Sequence, residues 1–285
     1  MKDFPIPVRS IGPGSQGEDE ELQYLEMPRG MATFEMPRVP EAADPAAMAC
    51  SRDLLSGFLA ALEAWDPAGN APGPRLDLTG VPAAALNITN QMLGEGEVSV
   101  RVTGNRDVRI QESVFTGIWR ICEFGTDGKL RQDWVEAASV PAIVIESALA
   151  GSTPTLRPVE LPQGAMNSPA LLHEIGIRLR DVAPGATPHV INLTLFPMSP
   201  EDHQVLDAAL GIGPVAMISR GFGNCHITST QARNVWRVQY FNNMKTLILN
   251  TIEVVHVPEE ALAAPEDLED SRTRLAELID WMGES

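Results

Sequence analysis

Hydrophobic and polar positions change period several times along this chain, and each change marks an element. Strict alternation predicts half-buried strands. It is clearest in EVSVRVTG (97–104) and looser in DVRIQESV (107–114) and NCHITSTQ (224–231). In NVWRVQYF (234–241), Trp236, Val238 and Tyr240 fall on one face, and Val235, Arg237 and Phe241 on the other. Both faces are partly apolar, which predicts a sheet covered on both sides near this strand. TLILNTIEVVHVP (246–258) reads as a further strand.

Helical spacing governs other stretches. Leu55, Phe58, Leu59 and Leu62 repeat along RDLLSGFLAALEAW (52–65), and SPALLHEIGIRLRDV (168–182) follows the same pattern. SPEDHQVLDAALGIG (199–213) carries its own punctuation: Ser199 as N-cap, Pro200 just inside, and Gly211 where a C-cap belongs. The last helix, PEDLEDSRTRLAELIDWM (265–282), has acids at its start and an apolar stripe of Leu268, Leu275, Leu278 and Met282.

These elements occur in the same order twice. With Trp119 set on Trp236, the register runs without a gap from Leu93 on Leu210 to Pro141 on Pro258. Gly94, Gly96, Val98, Gly104, Ile110, Arg120, Phe124, Leu130 and Glu136 all meet their like. Upstream, LDLTGVP (76–82) resembles INLTLFP (191–197) after a two-residue adjustment. The pattern predicts an α+β fold: an internal duplication of a module with a mostly antiparallel sheet packed with helices. The first repeat covers 50–150, and the second, with the C-terminal helix, covers 165–285. The proline- and glycine-punctuated stretch 151–164 is read as a linker.

Residues 1–49 have no counterpart in the repeat. Pro28 and Pro37, in the repeated EMPR, prevent a long regular helix. Leu25, Met27, Met31, Phe34 and Met36 are nevertheless too apolar for a free tail. The reading is an extended Met/Pro-rich arm, packed either on its own domain or on a partner, with Met27, Met31, Phe34 and Met36 as anchors.

Composition narrows the function classes. A net charge of −17 argues against a nucleic-acid partner and an anionic membrane surface. The start, MKDFPIPVRSIGPG, lacks the apolar core of a secretory signal, and no run approaches a membrane span. A cytoplasmic protein without direct membrane insertion is expected. Cys50, Cys122 and Cys225 form no CxxC pair and no disulfide framework.

Motifs for chemistry are sparse. There is no dinucleotide fingerprint, phosphate loop, HExxH or GxSxG. GFGNC (221–225) lies between strands and reads as a turn. Cys225 and His226 are adjacent, so on a strand they point to opposite faces, and a joint metal site needs a bulge. Arg120 with Glu136, and Arg237 with Glu253, recur in both copies and read as structural ion pairs. Trp119 and Trp236 are either core or exposed anchors; Trp236 and Arg237 are the candidates for partner contact on the sheet.

GPGSQ near the start, the Met-Pro arm, SRGFGNCHITSTQARNVWRVQYFNNMKTLILNTIEVVHVP (219–258) and ALAAPEDLEDSRTRLAEL (261–278) together resemble the hydrogenase expression/formation proteins of the HupH/HyaF type. The resemblance implies an accessory protein for maturation of an uptake NiFe hydrogenase, assisting the small, iron–sulfur subunit before export. It brings no catalytic residues with it. A non-catalytic chaperone or scaffold without cofactor or metal is expected. It would bind an immature hydrogenase subunit and other accessory proteins, with acidic charge suited to a basic export signal. The alternatives are a metal or iron–sulfur carrier, or an enzyme of cofactor assembly, using Cys225, His226 and Cys50, and a bridge between accessory proteins.

Overall fold

In the computed structural model, residues 44–284 are described, apart from 70, 181, 184, 186 and 222. The arm anchors Met27, Met31, Phe34 and Met36 lie outside the described residues. Helix α1 runs from Pro45 to Glu63, with the Asp44 carboxylate accepting the Ala46 N–H. Residues 45–49, read from sequence as the end of the arm, are therefore helical.

Ten strands form one sheet in the order β1-β5-β4-β3-β2-β7-β8-β9-β10-β6, and every pairing is antiparallel. Strands β2 (Val98–Val102), β3 (Asp107–Glu112), β4 (Ile118–Phe124) and β5 (Leu130–Ala137) form the first half. Strands β7 (Val215–Ser219), β8 (Asn224–Ser229), β9 (Val235–Phe241) and β10 (Leu247–Val254) form the second. Each strand of the second half begins and ends 117 residues beyond its counterpart. Helices α2 (Ala83–Leu93) and α5 (Pro200–Leu210) keep the same offset. The edges are β1 (Arg75–Asp77) and β6 (His189–Asn192).

The two halves meet at β2 and β7. Val100 pairs with Met217, which is its own counterpart 117 residues on, flanked by Val98 with Ser219 and Val102 with Val215. A local two-fold relation therefore passes through the Val100–Met217 pair, as at an isologous dimer interface written into one chain.

Side-chain parity builds the layers. One face carries Trp119, Ile121, Val238, Met217 and Trp236 into a single core shared by both halves. Helix α3 (Ala142–Leu149) and the segment Val255–Ala261 cover it. The AIVIESAL run is apolar around most of its circumference, so periodicity did not separate α3 from a core strand. Among the described residues, the opposite face is covered only at its flanks. Helices α1, α2 and α6 (Pro265–Glu284) pack on Ile118 and Val135, while α4 (Ser168–Arg178) and α5 pack on Val235 and Ile252. At the start of β9, around Val235 and Trp236, described residues cover the sheet on both sides, as the sequence predicts; farther along β9 and at the sheet's centre they do not.

Two features depart from the simple repeat. Helix α6 follows the second half in sequence yet packs on the first. Leu275, Leu278 and Met282 share a cluster with Leu55 and Phe58, and Ser271 Oγ donates to the Thr116 carbonyl. The linker lies along the second half: the Thr153 N–H donates to the Gln231 carbonyl and the Arg233 N–H to the Thr153 carbonyl. At the start of the second half, Asp202 ties α4 to α5 by accepting from Ser168 N–H and Oγ and from the Ser199 N–H.

The expected Arg120–Glu136 and Arg237–Glu253 ion pairs do not form. Glu136 is the cross-strand neighbour of Trp119 and Glu253 that of Trp236, so both acids point to the tryptophan face while the arginines point to the other. Glu136 instead accepts from Trp134 Nε1 at 3.1 Å and Glu253 from Thr251 Oγ1 at 3.1 Å.

Two predictions follow from local conformation and burial. Asn234 and Lys245 both have φ of 59°, at positions where the first half has Gly117 (φ 80°) and Gly128 (φ 73°). A lysine in the left-handed region is strained. Lys245→Gly should raise stability by about 0.5–1 kcal/mol in thermal unfolding, net of glycine's greater unfolded-state freedom. Glu112 and Glu253 are buried, and burial pushes each carboxyl up to about 7. Their folded pKa values lie above the ordinary glutamate value of 4.5. The folded state therefore binds the extra protons, and stability falls as pH rises through about 7. Glu112→Gln and Glu253→Gln should each gain on the order of 1–3 kcal/mol over the parent between about pH 5 and pH 8.5 in urea unfolding.

Candidate interaction surface

The centre of this face, which no described helix covers, is built by the alternation of six strands. Two rows of side chains cross it. One runs Cys122, Arg109, Arg101, Ala216, Thr228, Arg237; the other runs Arg120, Gln111, Ser99, Ile218, His226, Gln239. The local two-fold exchanges the rows. Arg101, Arg109, Ala216, Ile218 and His226 are exposed. Helices flank this strip on both sides, so it forms the floor between two helical walls.

Equivalent positions on the floor do equivalent things. The Arg109 guanidinium lies 4.5 Å from the Phe124 ring centroid, and in the second half the His226 ring lies 4.8 Å from that of Phe241. The Arg109 guanidinium lies over its ring, and the His226 ring is tilted by 48° to that of Phe241. Arg101 and Arg109 share one acid, Asp107, at 3.6 and 3.8 Å. The strip thus has a local positive surplus on an acidic chain. Sequence reading missed these ring contacts, although the 117-residue offset that pairs the tryptophans also pairs Arg109 with His226 and Phe124 with Phe241.

The two framework arginines differ. Arg120 grips Asp133, donating from Nε and Nη2 at 3.2 and 2.8 Å. Arg237 donates from Nη1 to Asp207, on α5, at 2.7 Å. A pocket of about 300 Å³ lies beside it, lined by Asp207, Ile212, Thr228, Arg237 and Gln239. A larger cleft, about 660 Å³, opens where the β2–β3 turn meets the end of α3.

Trp236 is corrected as a contact residue. It is 2% exposed, its Nε1 donates to the His256 carbonyl, and it belongs to the shared core with Trp119. Arg237 does reach the open face. Cys225 is buried on the tryptophan face and His226 is exposed on the other, so the two do not converge. Burial pushes the Cys225 thiol up to about 11, as it does that of Cys122. A thiol so placed is mostly protonated near neutral pH and a poor nucleophile or ligand. Tyr240 Oη donates to Glu260 at 2.8 Å, and burial and that bond hold the phenol above its ordinary pKa. Among the described residues no group of three or more His, Cys, Asp or Glu side chains is placed to hold a metal ion. No described helix is long and apolar enough to cross a membrane.

The halves also differ at the tips of their outer hairpins. In the first, Asp127 pairs with Arg131 and the tip is polar. In the second, Met244 and Ile248 occupy those two positions and are 85% and 56% exposed. Leu247 is exposed beside them, and Leu195 (79%) and Phe196 lie on or next to the 3-10 turn that follows β6 and lies against β10.

Comparison with known proteins fits this two-part architecture. The family described as HupH hydrogenase expression protein, C-terminal conserved region, matches residues 48–154 and again 165–282. The chain is 44% identical over 284 residues to the hydrogenase expression/formation protein HoxQ of Cupriavidus necator, covering 99% of each. It is 40% identical over 285 residues to the hydrogenase expression/formation protein HupH of Rhodobacter capsulatus, covering 98% of each. To the hydrogenase-1 operon protein HyaF of Escherichia coli it is 32% identical over 282 residues, covering 96% of each. On matches that span both halves and nearly its whole length, the chain belongs to the HupH hydrogenase expression protein family.

Proposed function

We propose that the chain is a cytoplasmic accessory protein of hydrogenase maturation, which holds an immature hydrogenase subunit without catalysing a reaction on it. The small, iron–sulfur subunit is the favoured client. The names of the relatives, hydrogenase expression/formation proteins, support the pathway. The architecture supports a binding role: a single chain forms the equivalent of a dimer, then gives its two ends different surfaces.

The observation that carries this reading is the apolar hairpin tip of the second half. Exposed apolar side chains contiguous on a rigid sheet end mark an interaction site. The equivalent tip of the first half, on the same backbone, is polar and ion-paired. The fold therefore does not require Met244 and Ile248, which stand where the first half has Asp127 and Arg131, to be apolar. The proposed contact is an apolar segment of a client that is still incompletely folded, with the N-terminal methionines as a second contact. A carrier role for Cys225 and His226 gains nothing from their placement on opposite faces.

The two tips supply their own control. Leu130 and Leu247 occupy equivalent positions and are both about half exposed. Leu247→Lys with Ile248→Lys should cut recovery of the hydrogenase subunit in an anaerobic pull-down by about tenfold or more, the scale of losing one or two buried apolar anchors. Leu130→Lys should leave recovery unchanged. Equal recovery from all three proteins would remove the tip as the contact. Recovery of bait alone, carrying iron in fixed proportion, would favour a carrier.

A further inference from the structure

The two framework arginines are equivalent in position and opposite in how they are satisfied. In the first half the carboxylate comes from strand β5, as Asp133, and the equivalent of Asp207 on the helix is Asn90. In the second half the carboxylate comes from helix α5, as Asp207, and the equivalent of Asp133 on the strand is Asn250. The acid has moved from strand to helix, and an amide has taken its place. The surroundings have not changed. The Asp133 and Asn250 backbone N–H groups both donate to a threonine, Thr79 or Thr194, and each threonine N–H donates in turn to the residue two before it, Asp77 or Asn192.

The exchange leaves the Nε of Arg237 without a hydrogen-bond partner. Arg120 uses its Nε–Nη2 edge on Asp133, the two-bond geometry guanidinium favours with a carboxylate. Arg237 binds Asp207 through Nη1, and its buried Nε has no hydrogen-bond partner. The Asn250 side-chain oxygen is likewise buried and unpartnered, on a residue only 8% exposed. Buried polar atoms are rarely left unsatisfied, and an unpartnered donor on a side chain that lines a pocket calls for an acceptor from a ligand or a water. Arg237 lines the pocket of about 300 Å³, and it ends the row that also holds Arg109 and Arg101. Three arginines there face two acids, Asp107 and Asp207.

The geometry points to a carboxylate-binding subsite at Arg237, filled by an aspartate or glutamate side chain of the client segment that lies across the open sheet face. In the first half the equivalent arginine, Arg120, already has a resident carboxylate on its Nε–Nη2 edge, Asp133. This deepens the proposed function and rests on it for the identity of the partner. The subsite itself does not depend on that reading.

The test uses the full chain and sodium acetate as probe. The Arg237 Nε–H resonance, identified by its loss in Arg237→Lys, is followed in nitrogen–proton spectra as acetate or sodium chloride is added at equal ionic strength. Acetate should produce a saturable shift and chloride none. Asn250→Asp restores the strand carboxylate, so it should give an already shifted resonance with no acetate response, and should unfold at no lower temperature than the parent. If acetate and chloride act alike, the edge holds water only and the subsite is overturned. The partner is tested separately by pull-down: Asn250→Asp should reduce client recovery by about tenfold. An acetate response with undiminished recovery would overturn the client as occupant. If the parent recovers no client at all, the proposed function fails while the acetate arm still decides the subsite.

Discussion

The antiparallel pairing of β2 with β7 is the contact on which the rest of the molecule depends. Without it, each half would end in an exposed edge strand of alternating Val98, Val100 and Val102, or Val215 and Met217, with its apolar side in water. Its register is set by parity. A slip of one residue would turn the valines out to the open face and the arginine Arg101 into the core. The same register places the local two-fold on Val100 and Met217, and so fixes which residues become equivalent across the sheet.

Equivalence makes the differences informative. A position that must be apolar for the fold should be apolar in both halves, as Trp119 and Trp236 are. A position that differs is free of that demand. By this logic the hairpin tips, polar at Asp127 and Arg131 but apolar at Met244 and Ile248, differ for reasons outside the fold. Helix α6 adds a further asymmetry. It closes over α1 and covers Gly117, where a side chain would strike Leu268, and so seals the first half with the end of the chain. The proposed working surface is then left to the second half and the floor between the helical walls.

Much of the fold was legible in the sequence because the repeat is written in hard constraints. Rare tryptophans and paired glycines, among them the C-caps Gly94 and Gly211, keep their spacing, and the strand periods follow. What was not legible depends on which strand lies beside which. The Arg120 and Arg237 partners were misassigned because sequence recurrence does not tell a cross-strand neighbour from a residue on the opposite face. The Asp-to-Asn exchange at 133 and 250 becomes visible only once Asp207 is seen to approach from the helix. Helix α3 was hidden by its uniform apolarity. The open floor could not be read from strand patterns, since Arg101, Arg109 and His226 look like any solvent-facing alternation until the flanking helices are in place.

Native-state hydrogen exchange at the amides of β2 and β7 tests the central claim most directly. If this pairing unites the halves, the inter-strand amides of both strands should exchange only through global unfolding, with one common free energy and one dependence on denaturant. If the amides of one half exchange through a smaller opening while the other half keeps its protection, the halves are separate folding units, and the fused-dimer account of this protein is wrong.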